Sequence, residues 1–205
     1  MRPSPTQLFF PGFVRPEEPL SAARPARLDA DRPPDHLFFG ILLDAAAAYV
    51  ARQRALRIQS QHHLKRPRPT RLLHVTLRGL GDVTGLSEGL IETAARAAAT
   101  VEMPPFEVEF DRVTHWKQAV VLVGGDGVSG LRQLEHALGE ALAAAGLARG
   151  SNRPFNPHIT LIYDDTVVPD HMIRPLHWKI REFTLVESLV TRSKYITHGT
   201  FPLRG

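Results

Sequence analysis

Apolar runs of strand length alternate with stretches of helical periodicity along the first half of the chain. Leu37–Leu43 is continuously apolar and predicts a buried strand, and Asp44 is placed to cap an Ala-rich helix that ends near residue 60. A second strand is predicted over Leu72–Leu80 and a second helix over residues 87–100. This order of strand, helix, strand and helix is typical of a mixed α and β domain.

The second half of the chain repeats this order with variations. Phe106–Val113 alternates apolar with acidic residues, which predicts a half-exposed strand, and Ala119–Val123 predicts its neighbour. The helix that follows carries an apolar stripe of four leucines: Leu131, Leu134, Leu138 and Leu142. Two further strands are predicted, one that ends at Tyr163 and one over Phe183–Arg192.

Proline separates the beginning of the chain from the rest. Eight of the 17 prolines precede Asp35, so residues 1–34 are predicted to form an extended, Pro-rich arm. Residues 35–205 are long enough to bury the core of one domain. We expect an α+β fold of two pseudo-symmetric lobes, each an antiparallel sheet with helices outside, which face a central cleft.

One tetrapeptide occurs twice, each time in a predicted strand. The copies are His74-Val75-Thr76-Leu77 and His158-Ile159-Thr160-Leu161, and they begin 84 residues apart. Side chains alternate between the two faces of a strand, so the His and Thr of each copy share one face while the residue between them points to the other. If the two strands meet, two histidines and two threonines flank one site.

Two imidazoles in one site are suited to acid–base catalysis, in which one accepts a proton from the attacking oxygen and the other gives one to the leaving oxygen. Phosphoryl displacement places these two oxygens on opposite sides of phosphorus, which fits histidines that approach from two related strands. The hydroxyls of Thr76 and Thr160 could donate hydrogen bonds to the non-bridging phosphate oxygens. We therefore interpret His74 and His158 as catalytic and the two threonines as substrate-binding residues.

Composition excludes several other classes of site. With no cysteine, the chain has no disulfide, no thiolate metal site and no Cys nucleophile. The histidines lack metal-ligand spacing, so we expect no metal site. A net charge of +4 is compatible with an anionic ligand such as RNA. Without an apolar stretch of membrane-spanning or signal length, we expect a cytoplasmic protein that makes no membrane contact. We also expect the protein to be a monomer.

From Leu37 onwards the chain resembles the 2H phosphoesterase superfamily, in particular the bacterial 2′-5′ RNA ligase-like group, whose members act as RNA 2′,3′-cyclic phosphodiesterases. The matching segments are residues 37–44, 74–83 and 153–161, which include both His-x-Thr motifs. The resemblance implies a bilobal fold and opening of a 2′,3′-cyclic phosphate at an RNA or nucleotide end, without metal or other cofactor, to a 2′-phosphate. It also implies that His158 activates water and His74 protonates the departing 3′ oxygen.

Other candidate contacts have two interpretations each. Arg153 could bind the substrate phosphate or pair with Asp164. Tyr163 and Tyr195 could stack on a base or pack in the core. The basic loop over residues 65–71 could hold an RNA backbone or form a solvated surface.

The chain departs from many relatives at two places. Gly79 stands where they carry a large aromatic residue, and Ile162-Tyr163-Asp164-Asp165 stands where they carry an arginine. Three further functions therefore stay open: 2′-5′ RNA ligation, hydrolysis of another cyclic nucleotide, and binding of RNA or nucleotides without catalysis. Ligation uses the same displacement in reverse and needs the same residues.

Overall fold

Eight strands and three α-helices form the part of the chain that the structure describes, a computed structural model covering residues 35–83, 88–147 and 154–205. The strands are β1 Asp35–Leu42, β2 His74–Val83, β3 Phe106–Trp116, β4 Ala119–Val123, β5 His158–Tyr163, β6 His171–Ile180, β7 Glu182–Leu189 and β8 Lys194–Pro202. The helices are α1 Ala45–His62, α2 Glu88–Ala98 and α3 Ser129–Ala144. The predicted arm, residues 1–34, lies outside the described residues.

The strands form one antiparallel sheet in the order β6-β3-β4-β5-β2-β1-β7-β8. The motif strands β2 and β5 are neighbours at its centre, and they pair only through Val75 and Ile159. Each motif strand is therefore the inner edge of a four-stranded half. The prediction of an α+β fold built from two related antiparallel halves is confirmed, and this short pairing joins the two expected sheets into one.

The helices cover one face of the sheet and bury its core. Asp44 caps α1 as predicted, because its carboxylate accepts a hydrogen bond from the Ala47 amide at 2.7 Å. The four leucines of the predicted stripe lie on α3 and are at most 1% exposed. Burial of one such side chain contributes roughly 1.5–3 kcal/mol, so the stripe anchors α3 firmly to the sheet. None of the helices in the described ranges is long and apolar enough to cross a membrane.

Both motif strands carry a β-bulge at the leucine of the tetrapeptide. In β2, Thr76 pairs with Gly40 and Arg78 with Phe39, so Leu77 has no partner across the ladder. In β5, the pairing with β4 passes over Leu161 in the same way. A bulge changes the face to which the following residues point, and bulges are common beside active sites.

The bulge in β2 turns Arg78 away from the histidines. Its guanidinium reaches α3, where it forms a salt bridge with Glu135. Gly139 provides the space on α3, because a Cβ atom there would lie 2.6 Å from the Arg78 guanidinium. Arg78 thus serves the packing of α3 on β2.

Candidate active site

The two motif histidines are oriented by the same local hydrogen bond. Nδ1 of His74 lies 2.9 Å from the carbonyl oxygen of Leu72, and Nδ1 of His158 lies 2.9 Å from that of Asn156. A carbonyl oxygen can only accept, so each Nδ1 carries a proton, which in a neutral imidazole leaves Nε2 as the acceptor. His171, at the start of β6, makes the same bond to Pro169 at 2.9 Å. The bond is therefore a feature of a histidine at a strand start, and what distinguishes His74 and His158 is the pairing of their two strands.

The register of the two strands brings the motifs together. Val75 and Ile159 form the cross-strand pair and are fully buried on the helix side of the sheet. The residues on either side of them point to the opposite face, which we call the site face. Extension of this register sets His74 across from Thr160, and Thr76 across from His158. The two histidines are then diagonal neighbours, a relationship that corresponds to about 7–8 Å.

His74 lies in a partly buried, aromatic environment. Thr76 places its hydroxyl oxygen 3.1 Å from Nε2, and Tyr195 places its hydroxyl oxygen 3.1 Å from Nδ1. The Phe38 ring centre lies 5.0 Å from that of the imidazole. Burial lowers the pKa of His74 from its usual 6.5 to about 4; the Leu72 carbonyl opposes this effect, and the nearby side chains of Arg68 and His158 add to it. His74 is therefore neutral in the unliganded protein at neutral pH.

His158 lies against the opposite half of the site. The ring of Trp116, at the end of β3, packs on the imidazole with the ring centres 4.8 Å apart. The two histidines thus have aromatic neighbours from separate strands, Phe38 and Tyr195 for the first and Trp116 for the second. A ring on each side fixes the imidazoles by packing.

Arg68 connects the two halves of the site. Its backbone amide donates a hydrogen bond to the Leu161 carbonyl at 2.8 Å, which ties the loop between α1 and β2 to β5. Its guanidinium donates to the Tyr195 hydroxyl at 3.0 Å and stacks 5.2 Å above the centre of the Tyr163 ring. A cation is thus held beside His74.

Asp164 fixes the other end of the same loop. Its carboxylate accepts hydrogen bonds from the backbone amides of Lys65 at 2.6 Å and Thr166 at 2.8 Å. These bonds, that of Lys65 first, lower the pKa of Asp164 to about 2. Asp164 is therefore charged at neutral pH and is already bound by backbone groups.

The structure brings most of the predicted site residues to one face. His74, His158, Thr76 and Thr160 flank the junction of β2 and β5, and all four are partly buried. Tyr163 is 56% exposed, so the core-packing interpretation of this residue is wrong. Arg153 lies outside the described residues, and both of its interpretations stay predictions.

Sequence reasoning missed three contributors to the site, which are Phe38, Trp116 and the bridging guanidinium of Arg68. Phe38 belongs to an apolar run that is typical of a strand buried on both faces. Gly40 was the available signal, because a Cβ atom there would lie 2.9 Å from the Phe38 ring and 2.9 Å from the Val75 carbonyl. A glycine within a strand often marks such a close approach.

The functional groups on the site face define the chemistry that it can support. No group of three or more His, Asp or Glu side chains that could hold a metal ion occurs within the described ranges. The groups that meet here are imidazoles, hydroxyls, aromatic rings and a guanidinium. This set suits acid–base catalysis on an anion.

Comparison with known proteins places the chain in a family. The family model described as the 2′-5′ RNA ligase superfamily matches residues 43–194. The RNA 2′,3′-cyclic phosphodiesterase of Escherichia coli (strain K12) is 30% identical over 168 residues, which cover 78% of this chain and 91% of the relative.

Solved structures agree with this assignment. Escherichia coli LigT complexed with 3′-AMP is 28% identical, with a TM-score of 0.64 over 84% of this chain and 99% of that chain. TT0787 of Thermus thermophilus is 21% identical with a TM-score of 0.68, over 83% of this chain and 98% of that chain, and it supports the fold. With the family model and the curated relative, these matches show that the chain belongs to the 2′-5′ RNA ligase superfamily and is an enzyme of the 2H phosphoesterase group.

Proposed function

We propose that the protein hydrolyses a terminal 2′,3′-cyclic phosphate of RNA to a 2′-phosphate, with His74 and His158 as its acid–base pair. One observation carries this proposal. The single cross-strand pair of Val75 and Ile159 sets both His-x-Thr motifs side by side on the site face. Two oriented imidazoles that flank one position are what an in-line displacement at phosphorus requires.

The reaction needs one proton removed and one supplied. His158 Nε2 takes a proton from water as the water oxygen attacks phosphorus. The bond between phosphorus and O3′ breaks, O3′ takes a proton from His74 Nε2, and the phosphate stays on O2′. Thr160 donates a hydrogen bond to a non-bridging oxygen, on which negative charge increases in the transition state, and Thr76 does the same once His74 Nε2 is protonated and no longer accepts its hydroxyl.

The environment of each histidine bears on these roles. The bond from Nδ1 of His158 to the Asn156 carbonyl leaves Nε2 free to accept a proton, as a base must. His74 is neutral in the unliganded protein because burial lowers its pKa to about 4. A bound phosphodiester brings a negative charge next to the imidazole and favours its protonated form. The anionic substrate thereby prepares the acid that cleaves it.

The relatives support the class of substrate. The curated relative from Escherichia coli is named an RNA 2′,3′-cyclic phosphodiesterase. Escherichia coli LigT has been solved in complex with 3′-AMP and with phosphate. A site that accepts a nucleotide phosphate in such relatives is consistent with a ribonucleotide end in this one.

The test is incubation of the protein with a short RNA that ends in a 2′,3′-cyclic phosphate, in the presence of EDTA. We expect conversion to a 2′-phosphate, identified by 31P NMR, and loss of conversion by at least a hundredfold in His74→Ala and in His158→Ala. His171→Ala is the matched control, because His171 makes the same bond to a carbonyl two residues earlier but lies on β6. Turnover that survives either motif substitution would contradict the proposal.

The same experiment separates the other functions. A 3′-phosphate product would mean that the other ester bond breaks. Joining of a 5′-hydroxyl RNA that is added to the mixture would indicate ligation. Binding without turnover by the folded wild-type protein would indicate a binding module.

A further inference from the structure

We propose that a basic groove beside His74 holds the backbone phosphates of an RNA chain, so that the site acts on the end of an oligonucleotide in preference to a cyclic mononucleotide. This inference rests on the proposed function and adds the length and class of its substrate. The groove has a volume of about 400 Å³ and is lined by Arg71, Leu72, Arg192, Ser193, Lys194 and Tyr195.

Two short turns form the walls of the groove. Arg71 lies on the 3₁₀ turn Thr70–Leu72 that precedes β2, and Arg192 ends the 3₁₀ turn Val190–Arg192 that precedes β8. Arg71 donates a hydrogen bond across the groove to the Ser193 carbonyl at 3.3 Å. The two walls, which are distant in sequence, are thus held together.

The groove is cationic. Arg71, Arg192 and Lys194 are exposed, and none of the six described residues that line the groove is acidic. A cyclic mononucleotide carries one negative charge, at the phosphate that reacts. Every nucleotide on its 5′ side adds a further phosphate, so only an oligonucleotide supplies anions for both the site and the groove. Arginine is well suited to this contact, because its planar fork matches the oxygens of a phosphate.

The groove adjoins the Nδ1 edge of the His74 imidazole. Tyr195 lines it, and the hydroxyl of this residue lies 3.1 Å from His74 Nδ1. Leu72 also lines it, and its carbonyl binds the same nitrogen at 2.9 Å. The groove therefore begins one side chain away from the imidazole, where the chain that leads to a terminal phosphate would pass. Single-stranded nucleic acid is commonly bound in this way, with a basic groove that follows the backbone and aromatic rings nearby.

The test compares two variants that have the same change in net charge. The groove variant carries Arg71→Glu, Arg192→Glu and Lys194→Glu. The control variant carries Arg57→Glu, Arg96→Glu and Arg132→Glu, at exposed positions on the three helices behind the sheet. Circular dichroism and thermal unfolding establish whether both variants fold. If the groove variant with three glutamates does not fold, a second groove variant with glutamine at the same three positions replaces it.

The measured quantity is kcat/KM for a tetraribonucleotide that ends in a 2′,3′-cyclic phosphate, divided by kcat/KM for a 2′,3′-cyclic mononucleotide. We expect this ratio to fall at least tenfold in the groove variant and to stay near the wild-type value in the control variant. The slope of log kcat/KM for the tetranucleotide against log salt should also become shallower by about 2, because three phosphate contacts at roughly 0.7 each are lost. Equal ratios in the two variants would overturn the proposal.

Failure of the proposed function gives a different result. Wild-type protein would then hydrolyse neither substrate. In that case the affinity for a fluorescent tetraribonucleotide, measured by anisotropy, decides the inference. Weaker binding by the groove variant than by the control variant supports the groove, and equal binding overturns it.

Discussion

The pKa of His74 gives the stability of the protein a specific dependence on pH. In the folded protein burial lowers this pKa from 6.5 to about 4, whereas an unfolded chain has the usual value. The folded state therefore binds a proton at His74 less readily than the unfolded state does. The contribution of a neutral His74 is fully present above pH 6.5 and is lost as the pH falls to about 4.

The size of the effect follows from the interval between the pKa values of His74 in the unfolded and the folded protein. Each pKa unit corresponds to about 1.4 kcal/mol, so the interval is worth roughly 3 kcal/mol of the free energy of unfolding. His74→Gln keeps a polar side chain of similar size but cannot bind a proton. We expect wild type to lose roughly 3 kcal/mol more than this variant between pH 7 and pH 4.

The assay is urea denaturation of both proteins at several pH values, followed by circular dichroism. His171→Gln reports the effect of losing an imidazole that makes the same carbonyl hydrogen bond elsewhere in the sheet. The same pH dependence in wild type and His74→Gln would refute the conclusion that His74 is held neutral. If wild type instead gained stability relative to the variant as the pH falls, folding would raise the pKa of His74 and not lower it.

Three further substitutions test the supports of the site. Tyr195→Phe removes the hydroxyl beside His74. It should lower kcat about five- to tenfold in steady-state kinetics, because one hydrogen bond is worth about 1 kcal/mol. An unchanged kcat would show that the hydroxyl has no part in the reaction. Asp164→Asn should lower the Tm at pH 7. The difference in Tm between this variant and wild type should vanish as the pH falls from about 4 towards 2, because the Asp164 pKa of about 2 lies below the usual value. A difference in Tm that is constant with pH would argue against an ionic contribution. Trp116→Ala removes the ring that packs on His158 and should lower kcat/KM about three- to tenfold, and a wild-type value would exclude a positioning role.

The sequence carried the information for the centre of the site because that centre depends on local alternation. His74 and Thr76 share a face of their strand independently of how the other strands pair, and the same holds for His158 and Thr160. The two motifs come together only through pairing of strands that are distant in sequence, and the duplication of the tetrapeptide indicated this pairing. The observed pairing through Val75 and Ile159 agrees with that interpretation.

The outer strands could not be predicted in the same way. β6 contains Pro175, which counts against a central strand, and the structure places β6 at an edge of the sheet, where proline is tolerated. β8 forms the other edge, and most of its residues are only partly buried, so it has no clear apolar alternation. Tyr195 depends on β8, and its contact with His74 was therefore beyond reach of the sequence pattern.

The bulges at Leu77 and Leu161 mark another limit. Period-two alternation assigns each residue of a strand to one face, but a bulge shifts every residue after it. Arg78 would share the face of His74 by alternation, yet it reaches α3. Tyr163 would lie opposite His158 by alternation, yet it is exposed beneath the guanidinium of Arg68.

If His74 and His158 act as one catalytic unit, their contributions to the rate are coupled, and a double-mutant cycle measures this coupling. The rate of hydrolysis of an RNA 2′,3′-cyclic phosphate in EDTA is measured for wild type, His74→Ala, His158→Ala and the double variant. Each single substitution should lower the rate by at least a hundredfold, and the double variant should be no slower than the slower single variant by more than a few-fold. A double variant whose loss equals the product of the two single losses would show that the two histidines act independently and not as one unit.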